Sequence, residues 1–526
     1  MSQMLQLLCK GSKTNFNGYD FIKDLKVKLK YNCLMVALSI RLSFRTKLSE
    51  ILKSKHSKQI CIRTFYYPIG EDLMGTYLHN HTSDLSASLS CSSVAESVSV
   101  TDTVVENTTS FDSDGSSDQN SQPIGSDVKT LIIRLFASGK YDVIIDISSE
   151  LLKLHPESIF LHNVLGESYA KLGENLKAIS HFEHVLAIKP EKIEENLKTS
   201  YAPNVYNNLG VLLKSMGFLE ESEKNLVRSI ELNPKLSSAY NNYGNLLNDK
   251  AELMKAQEYF LKAIDIEPDN FVAYWNLHST VSEAHKAKAI IEQCLTHSPL
   301  FRDAIYTLAG MNAFNGNDKH FRDLMSSGLA NEPILRSIHW ILSLPKLPEI
   351  HYNRWSIFDR AAELSDSSRP VYEYGVWMGE SFKYLMKHFK KGYGFDSFEG
   401  LPEDWRTVPK GAYSSFGKVP QIDGGEFIIG EFAESLPRFF SKARPMAGLI
   451  NFDADLYAST LCALVNSKKV MDSKTILVFD EFIVNSDWEK DEFRALNEFC
   501  EMCGFSYEVL AISLYTKQVV VRLLNS

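Results

Sequence analysis

From residue 128 to about 333 the apolar positions recur at helical spacing, in consecutive pairs of amphipathic segments. Tyr206, Tyr240 and Tyr274 lie 34 residues apart, as do Gly210 and Gly244, and Pro234 and Pro268. Two copies, NVYNNLGVLLKSMGFLEESEKNLVRSIELNP and SAYNNYGNLLNDKAELMKAQEYFLKAIDIEP, each read as two helices closed by a proline that cannot continue the second. An earlier copy, FLHNVLGESYAKLGENLKAISHFEHVLAIKP, ends at Pro190, 44 residues before Pro234, so an insertion within EKIEENLKTSYA lengthens the array there. Weaker copies begin near Val128 and Phe301. The pattern predicts about six helix pairs stacked as a solenoid with atypical ends.

The three strong copies resemble tetratricopeptide repeats, and the 34-residue spacing is specific to that resemblance. It implies a protein or peptide partner in the concave groove. Asn207, Asn208, Asn241 and Asn242 recur at matching positions, and either hold a partner's backbone or bridge neighbouring helices; the sequence leaves both open.

Past about residue 350 the period changes. Short apolar runs (VYEYG, KGYGFD, EFIIGEF, AGLINFD, TILVFDEF, YEVLAIS, KQVVVRLL) alternate with helical stretches, a pattern of parallel strands covered on both faces. Too few residues join the last two runs for a crossover, so these form an antiparallel hairpin. Five parallel strands and a hairpin resemble the Rossmann-like class I methyltransferase sheet, seven-stranded with the last strand antiparallel. The expected fold is multidomain, an all-α repeat solenoid followed by an α/β domain. Its expected divisions are a poorly ordered basic extension (1–81), a disordered linker (82–127), repeats (128–333), a helical connector (334–369) and the methyltransferase-like domain (370–526).

Composition adds the two leading segments. Residues 1–70 carry thirteen Lys or Arg against three acids, whereas residues 82–127 carry eight acids, no Lys or Arg and many Ser and Thr, too few large apolar groups to offset ordering entropy. The basic stretch leaves a targeting role open. A net charge of -9 argues against a nucleic-acid binder. No run is long enough to span a membrane. Eight scattered cysteines fit neither a metal pattern nor a disulfide framework, so a reducing, cytoplasmic setting is expected. Cys500 and Cys503 are expected on one helix rather than as a redox pair.

Ligands of an open parallel sheet lie beyond the carboxyl ends of its strands. The first such end reads EYGVWMGES, with Glu373, Gly375, Gly379 and Ser381 as donor-binding candidates; it lacks the spacing that cradles a pyrophosphate. Asp396, twenty-one residues after Gly375 and followed by Ser397, is placed to hold both hydroxyls of a ribose, or else caps a turn in FDSF. FDAD and FDE end two further strands. Asp453, Asp480 and Glu481, brought together, would repel unless a cation or protons intervene, and an all-oxygen set favours Mg²⁺.

GFDSFEGLPEDW, KGAYSSFGKVP, IIGEFAESLPRF, FDADLYAST and VFDEF with Trp488 and Glu492, in this order across most of residues 370–500, resemble the macrocin O-methyltransferase family. The resemblance implies S-adenosylmethionine (SAM) held by Gly375, Gly379 and Asp396, and a divalent ion, usually Mg²⁺, on Asp453, Asp480 and Glu481. Asn451, where many relatives have His or Arg, and Glu481, where many have Asp, depart from it. Asp453 and Asp455 are the catalytic candidates, Asp455 as loop-ordering group or proton acceptor, and Tyr457, Trp405 and Trp488 either wall an acceptor pocket or pack. The expected function is SAM-dependent, Mg²⁺-assisted O-methylation of a sugar-like, natural-product or other small hydroxyl acceptor, with repeats that bind protein; the alternative is a repeat scaffold with an inactive methyltransferase-like domain. The sequence also leaves open a protein acceptor and a homo-oligomer.

Overall fold

The computed structural model describes residues 124–188, 195–406 and 408–525, all within one compact unit. The expected basic extension and almost all of the linker lie outside the described residues. Among the latter, six helix pairs run from Ser126 to Ser326: α1 (Ser126–Ala137) with α2 (Tyr141–Leu152), α3 (Ile159–Lys171) with α4 (Asn175–Ala187), α5 (Glu195–Ser215) with α6 (Leu219–Leu232), α7 (Ser237–Asp249) with α8 (Leu253–Ile266), α9 (Phe271–Leu277) with α10 (Ala284–His297), and α11 (Arg302–Phe314) with α12 (Lys319–Ser326). The insertion extends α5 to 21 residues with Pro203 inside it. The recurring glycine has a packing cause: a methyl on Gly210 would sit 2.6 Å from Leu226 Cγ, and one on Gly244 2.6 Å from Phe260 Cε1, so α5 and α7 each lie directly on a large residue of the helix that follows.

The connector is not purely helical. After α13 (Pro333–Ser343) it forms a short strand, β1 (Glu349–His351), then α14 (Arg354–Leu364). The sheet that follows has eight strands rather than seven, because β1 adds in parallel to β7, the strand at the edge of the expected set. Three residues carry too little alternation to announce a strand. β2 (Val371–Tyr374), β3 (Gly392–Asp396), β4 (Gly425–Ile429), β5 (Leu449–Phe452) and β6 (Ile476–Phe479) are parallel; β7 (Phe505–Ser513) and β8 (Val519–Asn525) form the hairpin, and β8 inserts antiparallel between β6 and β7. The resulting order is β1-β7-β8-β6-β5-β2-β3-β4. Chain order reverses between β2 and β5, so the crevice at their carboxyl ends is the topological switch point.

The central strands are buried on both faces, with helices α15 (Glu380–Leu385), α16 (Phe432–Phe439), α17 (Tyr457–Ser467) and α18 (Glu492–Cys503) covering them. The main apolar cluster also takes in Tyr306, Ala309 and Phe321 of the last repeat and Ile334, Leu335, Ile338 and Ile341 of α13. Cys294, Cys462, Cys500 and Cys503 are free thiols, the last two on α18. Among the described residues no helix is long and apolar enough to cross a membrane.

Candidate functional site

Side chains from four strand ends meet at the switch point. After β2 the chain turns through Gly375, whose φ is +88° and where a methyl would lie 1.7 Å from the Asp453 carbonyl oxygen, so only glycine fits between the two strand ends. Gly379, also at φ +88°, caps α15. Asp396 ties this turn to β3: one carboxylate oxygen accepts the Val376 and Trp377 amide N–H at 2.7 Å each, and the other accepts the Phe398 N–H at 2.7 Å. Asp396 thus caps the turn in FDSF, the second of its two expected roles, and does so from a strand end beside the glycine turn. Ser397 accepts the Glu399 N–H at 3.2 Å within the same turn.

Beneath the turn Glu373 is fully buried, its Oε1 accepting from Ser381 Oγ at 2.5 Å and Asn451 Nδ2 at 3.0 Å, while Oε2 has no partner. Burial pushes its carboxyl up to about 8, against the two hydrogen bonds, so it holds a proton at neutral pH. Asn451, met in the sequence as a departure, is therefore a neutral partner for a neutral acid.

β5 ends at Phe452, before both aspartates. Asp453 continues the strand by one bond, its N–H donating to the Tyr374 carbonyl at 2.8 Å, and Asp455 takes a left-handed φ of 57° that turns the chain into α17. Both carboxyls are half-buried and held well above the usual range. Burial comes first for each, then Asp480 for Asp453 and Glu481 for Asp455.

Asp480 and Glu481 follow β6 and have cationic partners. Arg354 Nη2 donates to both oxygens of Asp480 at 2.8 Å, and Gln518 Nε2 donates to its Oδ1 at 2.5 Å. Lys517 Nζ lies 3.1 Å from Glu481 Oε2, which also accepts from Asn485. Burial opposes the Arg354 charge, but Asp480 and Asp453 beside it hold its pKa above the ordinary arginine value. Next to them Glu492 is fully buried and raised by burial and the neighbouring acids, accepting the Glu481 N–H at 3.0 Å. The structure therefore gathers Asp453, Asp455, Asp480 and Glu481, but with Asp480 and Glu481 already matched; among the described residues no group of acids, histidines or cysteines is arranged to hold a metal ion. As placed, this set does not fit Mg²⁺. Sequence reasoning missed Arg354, Lys517 and Gln518: Arg354 lies 126 residues before Asp480, with no motif around it.

The aromatic candidates pack. Trp488 is in the main cluster, Trp405 packs with Leu401 and Leu456, and the Tyr457 hydroxyl donates to Glu498. The repeats reach the site instead. Asn242 Nδ2 donates to Asn207 Oδ1 and Asn276 Nδ2 to Asn241 Oδ1, each at 2.9 Å, and Asn208 Nδ2 donates to Glu167 at 2.8 Å, so the repeated asparagines bridge the first helices of successive pairs. Asn208 and Asn242 also line a cavity of about 530 Å³ that continues to Arg354, Asp480, Glu481 and Lys517. The turn between α5 and α6 packs on the glycine loop, where a methyl on Gly217 would meet Met378 and Trp377, and Phe218 stacks 6.1 Å from Phe416.

Family models of the tetratricopeptide repeat match residues 161–192, 203–236 and 226–258. No curated protein matches. Among solved structures, the chain is similar in part to the thermophilic repeat protein TTC0263 of Thermus thermophilus (19% identity, 35% of this chain and 96% of that one, TM-score 0.31). It is likewise similar in part to the O-methyltransferase NovP (16%, 32% and 78%, 0.26) and the calicheamicin methyltransferase CalS11 (18%, 45% and 91%, 0.26). Alignments this partial carry no argument about the site.

Proposed function

We propose that the chain is a SAM-dependent O-methyltransferase whose acceptor enters the cavity between the repeats and the strand ends. The observation that supports this best is the glycine turn after β2, held by Asp396 and lying beside Asp453 at the switch point. Gly375 and Gly379 would let the donor approach the backbone, Asp396 retains acceptor capacity beyond the three N–H groups it serves, and Glu373 holds the turn from below as a neutral acid. Bound there, SAM supplies an electrophilic sulfonium methyl.

The chain's own part is to orient the acceptor hydroxyl and take its proton. Asp453 and Asp455, their carboxyls raised by burial and by the neighbouring acids, are the groups placed to exchange that proton. The repeats wall one side of this cavity, and Arg354, Asp480, Glu481 and Lys517 line the other. A small hydroxylated acceptor and a hydroxyl carried on a protein held by the repeats both suit this reading.

Calorimetry of SAM with the full chain tests it. Asp396→Ala is expected to weaken binding by about tenfold or more through loss of the turn, and Asp453→Asn to leave binding intact while slowing transfer about a hundredfold. Absence of SAM binding to the wild type overturns the reading. The scaffold reading draws on one observation, the matching of Asp480 and Glu481 by Arg354 and Lys517 at the strand ends; SAM binding without turnover on any acceptor decides for it.

A further inference from the structure

Two of the three carboxylates expected to share a divalent ion are matched by charges from the chain itself. Asp480 spends both oxygens on one guanidinium nitrogen of Arg354 and one of them also on Gln518; Glu481 spends its own on Lys517 and Asn485. An ion between Asp453, Asp480 and Glu481 would face two fixed cations next to its ligands, in a site where Asp480 is only 5% exposed and charges are poorly screened. It would also have to strip Asp480 of Arg354. A guanidinium suits this place, being always charged and planar.

Arg354 is held there from outside the sheet. It opens α14, whose start is capped by Asn353 Oδ1 accepting the Ser356 N–H at 2.8 Å. The next residue, Trp355, donates its indole N–H to the Asn248 carbonyl of α7 at 2.6 Å, and Trp355 packs in a cluster that Ala251 and Leu253 of the repeats adjoin. The fourth repeat thus fixes the helix that carries the arginine.

We propose that Arg354 is the resident counter-cation of this carboxylate cluster, standing where a divalent ion would otherwise be held, and that the repeat array positions it. The proposal stands or falls without methyl transfer.

The test uses the full chain, stripped with chelator and titrated with Mn²⁺, bound and free ion being distinguished by electron paramagnetic resonance. The wild type is expected to show no saturable binding up to millimolar Mn²⁺. Arg354→Gln is expected to gain saturable binding, with affinity raised about tenfold or more, as removal of one nearby positive charge implies. Arg354→Lys, which keeps the charge, stays with the wild type. Saturable wild-type binding that Arg354→Gln leaves unchanged overturns the proposal, and so does failure of Arg354→Gln to bind, since another group then keeps the ion out. Arg354→Met, with a similar aliphatic stem, is the second variant should Arg354→Gln not fold. Should neither fold, Trp355→Phe, which removes the indole bond to Asn248 and so frees the helix that carries Arg354, is titrated instead: gain of saturable binding upholds the proposal and no gain overturns it.

Discussion

Two buried acids in this chain do opposite work to the charged pair of Asp480 and Arg354. Glu167, 1% exposed on α3, accepts from Asn163 at 3.2 Å and Asn208 at 2.8 Å, and its other oxygen has no partner. Burial raises its carboxyl to about 8, opposed by Lys171 and the two asparagines, so it is folded in as a neutral acid. Its folded pKa exceeds the unfolded value of 4.5, so its contribution is fully present below about pH 4.5 and is lost as pH rises to about 8. Glu167→Gln keeps the acceptor oxygen and cannot ionise. Its stability relative to wild type is expected to rise between those pH values, by roughly 4 kcal/mol at the upper end, read from urea melts at a series of pH values. A flat difference across that range refutes the neutral-acid assignment. The same reasoning makes Glu373 a structural proton holder under the glycine turn.

At the scale of elements, periodicity was legible where one element repeats another. The glycine that recurs in α3, α5 and α7 marks a contact: at Gly244 an added methyl would lie 2.6 Å from Phe260, itself fully buried. Gly244→Ala gains about 1 kcal/mol of helix propensity and is still expected to destabilise by about 1–2 kcal/mol through overpacking. A thermal melt checks the sign, and Phe260→Leu in the same chain should recover most of the loss. The five parallel strands and the hairpin were equally legible, as were the glycine turn and the carboxylates at the strand ends, because each lies within its own motif. β1 was not, since its three residues take their strand character from pairing with Ala511 to Ser513 rather than from local pattern. Nor was the matching of Asp480 by Arg354, which is made by tertiary packing across 126 residues and leaves no trace in either segment alone.

Across the whole molecule the repeats are not an appendage. Tyr306, Ala309 and Phe321 of the last pair share one apolar cluster with α13 and the sheet, and Arg336 of α13 reaches Glu489 at 2.7 Å and the Ser486 carbonyl at 2.7 Å beyond β6. The Val484 N–H donates to Ser337 at 2.9 Å, so the loop after Asp480 and Glu481 is shaped by the helix that closes the repeat array. Cutting the chain after α13 therefore uncovers Phe482, Ile483 and Val484 beside the carboxylate cluster, all buried in the intact molecule. A fragment of residues 345–526 is expected to aggregate or melt well below the full chain, whereas one of residues 302–526, which keeps α11 to α13, should stay folded. Hydrogen exchange of the full chain gives the independent check: α11, α13 and β6 are expected to open with one common free energy, while α1 and α2, which pack on α3 alone at the far end, exchange faster. If the 345–526 fragment is as stable as the full chain, the repeats and the sheet are separable modules.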